Sequence, residues 1–328
     1  MKRINSRSLT ALAVTAVTAL GVAAAHAPQV EAQPAPVSLK IATIPSDIAA
    51  EVYYAKDQGF FKAAGLEVSI TPITNGGAIS SAVASNAVDI GYSNVVSIAL
   101  AHARGLPFSI LAPANIHTSS APTAGIIDVA GSSPIHSAKD LNGKTFAVTG
   151  LGNIANIAAA EWIDQDGGDA KTVRFVEIPL PQLADAVRAG KVAAASLDAI
   201  GDPTQPKGKE AGGVRRLGVA FDAVGKNFVP SVWFSTIDWI EKHPREAKSF
   251  VAVMKRTAAW ANTHHRESAA ILARYTKYSP AEIQSVTRAT YGATIRPEMI
   301  QGVLDSSAKY GALKATFPAK DLISAVAE

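Results

Sequence analysis

Two glycine-bearing stretches hold the residues best placed for binding chemistry. In Thr74 to Asn94, T-N-G-G-A-I-S-S-A-V-A-S-N-A-V-D-I-G-Y-S-N, the residues Asn75, Gly76 and Gly77 form a bend. A small-residue helix, Ala78 to Ser85, follows. Val88-Asp89-Ile90-Gly91 then enters a buried strand that ends in the polar pair Ser93-Asn94. Further on, Gly150-Leu151-Gly152-Asn153 follows a strand at Thr145 to Val148 and opens a helix from Ile154 to Asp166. A helix start leaves backbone N–H groups unpaired, and the helix dipole there favours negative charge. Such a unit holds a small polar or anionic group by its backbone, with no side chain committed to chemistry. Each dipole contributes about 0.3–1 kcal/mol toward an anion. Each charge-assisted hydrogen bond adds about 1.5–3 kcal/mol.

Other chemistries fit less well. Gly91-Tyr92-Ser93-Asn94-Val95 approaches a nucleophile elbow but lacks the final glycine. His264-His265-Arg266-Glu267 invites a metal reading, but adjacent helical histidines point apart and no His-Glu-x-x-His pattern exists. Gly150-x-Gly152-x-x-Ala155 follows a strand, with Glu177 ending the next one, which fits a dinucleotide fingerprint only loosely. With no cysteine in the chain, a disulfide framework, a thiolate metal site and a cysteine nucleophile are all excluded. No cofactor is expected.

Positioning these stretches requires a large core, and 328 residues that are 48% hydrophobic supply one or two. Strands at Ser38 to Ile44, Leu66 to Ile73, Val88 to Gly91 and Pro107 to Ile116 alternate with helices at Ile48 to Asp57, Ala78 to Ser85 and Val95 to Arg104. Ser46 or Asp47 is placed to cap the first helix. This alternation predicts an α/β fold whose sheet is mostly parallel and covered on both faces. His117 to Thr123 is polar and reads as a crossing segment. The pattern then restarts with strands at Gly125 to Val129, Thr145 to Val148, Val173 to Ile178 and Val192 to Ala199. Leu217 to Phe221 and Val229 to Thr236 read as returning strands. Beyond Asp238 the chain reads as helical to its end. Pro244 opens a long helix through His264, and Ser279-Pro280-Ala281-Glu282 has capping-box spacing. No long structureless linker separates the regions, so the second reads as an insertion into the first. The expected boundaries are 38–123 with 221–328 for lobe 1 and 124–220 for lobe 2.

The first 32 residues read as a secretory signal peptide. Lys2, Arg3 and Arg7 precede an uncharged apolar run, Leu9 to Ala25, and Val30-Glu31-Ala32 fits the cleavage rule. Without them, the formal charge falls from +4 to +2 by loss of those three cations and Glu31. That is too little to argue for nucleic acid, and no basic run interleaved with aromatics is present. An exported, cysteine-free chain is expected in the periplasm.

Tyr54-Ala55-Lys56-Asp57-Gln58-Gly59-Phe60-Phe61-Lys62-Ala63-Ala64-Gly65-Leu66-Glu67-Val68 resembles a signature of the periplasmic solute-binding proteins of ABC importers. The branch is the one for sulfonates, taurine, nitrate and the thiamine pyrimidine. Gly77-Ala78 through Gly91, Gly105-Leu106-Pro107, Ser137 to Lys144, Phe175 to Pro179 and Trp260-Ala261-Asn262 continue the resemblance in order. It implies a type II two-lobed fold, with two crossing strands as hinge and the ligand between the lobes. Asn75-Gly76-Gly77 and Gly150 to Asn153 would then face each other across the cleft. Ser46, Asp47, Ser93, Asn94, His117 and Thr118 would supply side-chain bonds from other strand ends. The family's acidic positions after the second-lobe helix are altered here to Val192-Ala193-Ala194, with Asp202-Pro203 later, which leaves Asp202 as the acidic candidate of that lobe. Trp233, after a crossing strand, is either core or a ligand contact. The implied partners are a small-molecule ligand and a membrane permease, with the protein a monomer. The competing reading is an exported enzyme on the same scaffold. A eukaryotic relative that makes the thiamine pyrimidine is marked by a cysteine-rich stretch, which this chain lacks.

Overall fold

The computed structural model describes residues 36–73, 76–202, 210–211 and 213–327. The expected signal peptide and Asn75 lie outside the described residues. Residues 35–328 form one compact unit.

The first sheet is built around β1 (Val37–Thr43), in which Leu39 and Ile41 are fully buried and Lys40 is exposed. Parallel to it runs β2 (Leu66–Pro72), in unbroken register from Val37↔Leu66 to Thr43↔Pro72. On its other edge lies β3 (Ile90–Asn94), also parallel. Next comes β13 (Ser231–Thr236), antiparallel to β3 and to β4 (Phe108–Pro113). The order is β2-β1-β3-β13-β4. Four strands share one direction and only the late-arriving β13 opposes them, so the expected mostly parallel sheet holds with one reversal.

The second sheet uses β6 (Ile126–Ala130), β7 (Thr145–Val148), β8 (Arg174–Glu177), β9 (Ala194–Leu197), β10 (Glu210–Ala211) and β11 (Val214–Val219), in the order β10-β11-β6-β9-β7-β8. β7 is parallel to β8 and β9, whereas β6 is antiparallel to β9 and β11.

A third, small sheet was not anticipated. Asn115–Thr118 forms β5, paired on one edge with β12 (Asn227–Phe228) and on the other with β14 (Thr290–Tyr291). His117 and Thr118, expected in a crossing segment, are therefore strand residues. Their partners arrive from more than a hundred residues away, so no local pattern announces them.

Three helical expectations change. Ser46 precedes a short 3-10 turn at Asp47–Ala49 without capping it, and the helix proper is Glu51–Asp57. The Pro244 helix ends at Ala261, where the Trp260 carbonyl collects the Thr263 hydroxyl and the His264 ring beside the backbone N–H groups of both residues. The terminal helix is replaced by two 3-10 turns, Ala319–Leu322 and Ala325–Ala327, with Ile323 bridging to Ile110 between them. The capping box at Ser279 and Glu282 forms as its spacing predicts.

Candidate functional site: a cavity between the two sheets

In an open α/β sheet the carboxyl ends of parallel strands point into a common crevice. Here those ends meet around a cavity of about 370 Å³. Ile44 follows β1, Asn94 ends β3, Thr149 and Gly150 follow β7, Glu177 ends β8, and Leu197 and Asp198 close β9. All line the cavity, so its wall takes residues from both sheets. Three helices begin at this wall: Gly76–Ala84, Val95–Ala103 and Ile154–Gln165.

The glycines at these starts have a steric reason. A Cβ on Gly76 would sit 2.8 Å from Ser93 Oγ. One on Gly91 would sit 2.6 Å from Ile79, so glycine lets the Gly76 helix lie on β3. A Cβ on Gly150 would meet Asn153 Nδ2 at 3.1 Å. The polar residues beside them first complete the helix ends. Asn94 Oδ1 accepts from the Ser97 amide at 3.0 Å, and its Nδ2 donates to Ser97 Oγ at 2.9 Å. Asn153 Oδ1 accepts from the Asn156 amide at 3.1 Å, and its Nδ2 donates to Thr149 Oγ1 at 3.1 Å. Both asparagines are N-caps whose remaining polar capacity faces the cavity.

Of the residues singled out by sequence, Gly76, Gly77, Asn94, Gly150 and Asn153 line the cavity. Ala155 and Glu177 of the loose dinucleotide fingerprint line it too, whereas Ser46, Asp47, Ser93, His117, Thr118, Gly152, Asp202 and Trp233 are not among the lining residues. Ser46 is buried and reaches it through Asp198, whose Oδ2 accepts from Ser46 Oγ at 2.5 Å. Asp47 is committed to Arg288, with Nε–Oδ2 at 3.0 Å and Nη2–Oδ1 at 2.7 Å, and takes further donors from Tyr54 and the Ala289 amide. This pair ties the segment after β1 to Arg288. Ser93 Oγ is fully buried beneath Gly76 with no hydrogen-bond partner among the described residues, which also removes the nucleophile-elbow geometry. His117 bonds Asp222 at 2.9 Å between the Phe221 and Phe228 rings, and Thr118 pairs with Asn227. Gly152, at φ +69°, gives its N–H to Asn156 Oδ1 at 2.9 Å. Asp202 is buried against Arg216. Trp233 is wholly buried, with Nε1 donating to Glu51 Oε2 at 2.8 Å.

Other wall residues were not read from the sequence as ligand contacts. Tyr92 donates from its hydroxyl to Ser231 Oγ at 2.9 Å, and Ser231 Oγ in turn donates to Asn115 Oδ1. Burial holds the Tyr92 phenol well above its ordinary value. Asp198, 4% exposed, accepts from Ser46 on one oxygen and from the Gly201 amide at 2.9 Å on the other. Burial raises its carboxyl above the ordinary range, against the lowering effect of those two donors. Beneath Tyr92, burial pushes Glu51 up to about 8. Asp198 carried one usable signal, its place at the end of a buried strand. Ile44, Ile48, Leu180, Leu197 and Phe221 make much of the rest of the wall apolar. Among the described residues, no group of three or more His, Cys, Asp or Glu could hold a metal ion, and no helix is long and apolar enough to cross a membrane.

Two mixed sheets with a crevice at their strand ends define a periplasmic-binding-protein fold. The chain belongs to the NMT1/THI5-like family, whose model matches residues 48–268. Solved structures with the same fold include the periplasmic aliphatic sulphonate binding protein SsuA from Escherichia coli, with a TM-score of 0.70 at 17% identity over 88% of this chain and 92% of that one. The periplasmic nitrate-binding protein NrtA from Synechocystis PCC 6803 superposes with a TM-score of 0.73 at 15% identity, covering 89% of this chain and 86% of that one. The alkanesulfonate-binding protein SsuA from Xanthomonas axonopodis pv. citri, bound to MOPS, gives 0.70 at 15% identity, over 89% and 99% of the two chains. No curated protein matches the chain in sequence.

Proposed function

We propose that this protein is the substrate-binding component of an ABC importer, capturing a small solute between two lobes and delivering it to a membrane permease. The observation that carries the reading is the 370 Å³ cavity walled by strand ends and helix starts of both sheets. Its size falls at the lower end of small-molecule sites, about 300–1,000 Å³. The first lobe comprises 38–123 and 221–328 and the second 124–220, with the passages between the sheets as the hinge. The ligand stabilises the closed arrangement through contacts made only there. Family membership and the binding-protein neighbours support a non-enzymatic, periplasmic role; the protein acts as a monomer after removal of its leader.

Thermal melting and tryptophan fluorescence test this. Trp233 lies 5.6 Å from the ring of the wall residue Tyr92, so occupancy should alter its emission. The expected result is a raised melting temperature with one member of a panel of sulfonates, nitrate, pyrimidines, aromatic carboxylates and amines. No response from any class would overturn the reading, as would turnover of the bound compound.

A further inference from the structure

We propose that the cavity takes a small organic cation, a protonated amine on an apolar body, with its ammonium against Asp198 and Glu177. This rests on the cavity being the ligand site. The wall carries two carboxylates, Glu177 and Asp198, and among the described residues no lysine, arginine or histidine lines it. Arg288 and Arg216 are committed to Asp47 and Asp202. An oxyanion would therefore meet like charge with no cationic clamp.

Three helix starts oppose this by favouring negative charge, but each amounts to about half an elementary charge. Those at Asn94 and Asn153 are moreover capped by side chains. Against them stand two acidic side chains and, among the described wall residues, no cationic one. Asp198 also has the capacity to bind. Among the described residues it accepts from Ser46, from the Gly201 amide and from its own backbone N–H, while a carboxylate offers about four acceptor sites. Desolvation of the carboxyl disfavours its charge in the empty cavity, and an ammonium would relieve that penalty. The apolar residues Ile44, Ile48, Leu180, Leu197 and Phe221 suit a hydrocarbon or aromatic body.

Isothermal titration at pH 7.5 of butylamine, phenethylamine and tyramine, beside ethanesulfonate, nitrate and a pyrimidine, tests the assignment. One amine should bind at least tenfold more tightly than any anion. Asp198→Asn should weaken that amine at least tenfold, and Glu177→Gln severalfold. Glu177 is exposed, so Glu177→Gln should leave the melting temperature of the empty protein unchanged even if Asp198→Asn folds poorly. Ethanesulfonate or nitrate binding as tightly as the amines overturns the cation and leaves the binding-protein reading standing. Amine affinity unaltered in both variants also overturns it. No binding by the amines at millimolar concentration overturns the cation, and silence from the anions and pyrimidine too overturns the ligand site with it.

Discussion

Ser46 Oγ donates a 2.5 Å hydrogen bond to Asp198 Oδ2 across 152 residues of sequence. Ser46 follows the first strand of the first sheet, and Asp198 closes a strand of the second. Both side chains are buried. The bond thus ties the segment that follows the first sheet's β1 to a cavity-wall residue of the second sheet.

Ser46→Ala should loosen that junction. Loss of a hydrogen bond to a charged or chargeable group costs about 1.5–3 kcal/mol. The melting temperature should fall by several degrees, and small-angle scattering should show a larger radius of gyration. An unchanged radius together with an unchanged melt would mean the contact holds nothing shut.

Glu51 makes stability depend on pH. Its folded value is raised from an ordinary 4.5 to about 8 by burial, partly offset by the Trp233 bond. Between those values the folded state binds more protons than the unfolded chain, so stability falls as pH rises from about 4.5 to about 8. Each pH unit of separation is worth about 1.36 kcal/mol. Glu51→Gln keeps an acceptor for the indole and removes the titration. Its denaturation midpoint should exceed that of the parent at pH 8 and converge on it near pH 5, by urea melts at both values.

The Asp47–Arg288 pair should be costly to break on one side only. Arg288→Met leaves a buried carboxylate whose other donors, Tyr54, Tyr291 and the Ala289 amide, do not neutralise it. Breaking such a pair costs about 3–5 kcal/mol. Asp47→Asn combined with Arg288→Met should recover part of that loss in a double-mutant cycle, since no bare charge remains. Equal stability of the single and double variants would show that the charge is not what matters.

Ser93 is a substitution expected to stabilise. Its hydroxyl is buried without a partner beneath Gly76. Such a group costs about 1–3 kcal/mol, so Ser93→Ala should raise the melting temperature. Gly76→Ala alone should lower it, because the new methyl meets Ser93 Oγ at 2.8 Å. Gly76→Ala with Ser93→Ala should restore it. Failure of that rescue would place the clash elsewhere.

Backbone-driven parts of the site were legible in the sequence, and side-chain partnerships were not. Gly76, Gly77 and Gly150 stand where strand ends turn into helices, which hydrophobic runs and glycine placement mark locally. Asn94 and Asn153 precede their helices in the usual capping position. Asp47, His117 and Trp233 look equally available in the sequence. Each is satisfied by a residue far along the chain: Arg288, Asp222 and Glu51. Tyr92, Ser231 and Asn115 form one relay from three distant strands, and no spacing rule assembles them. Asp198 sits four residues past Ala194, at a strand end that only the fold of the second sheet brings to the cavity.

The small sheet bounds where the molecule can bend. β5 is gripped on both edges, by β12 and β14, so the chain leaves the first sheet from an immobilised post. Only Ser119 to Gly125 then separates that post from β6. Gly125 in that span adopts φ +67°, with the Phe221 ring lying where a Cβ would be. If the second sheet swings on this passage, its fulcrum is confined to those few residues. A methyl group at position 125 would drive into the Phe221 ring and jam that lever at the edge of the cavity itself.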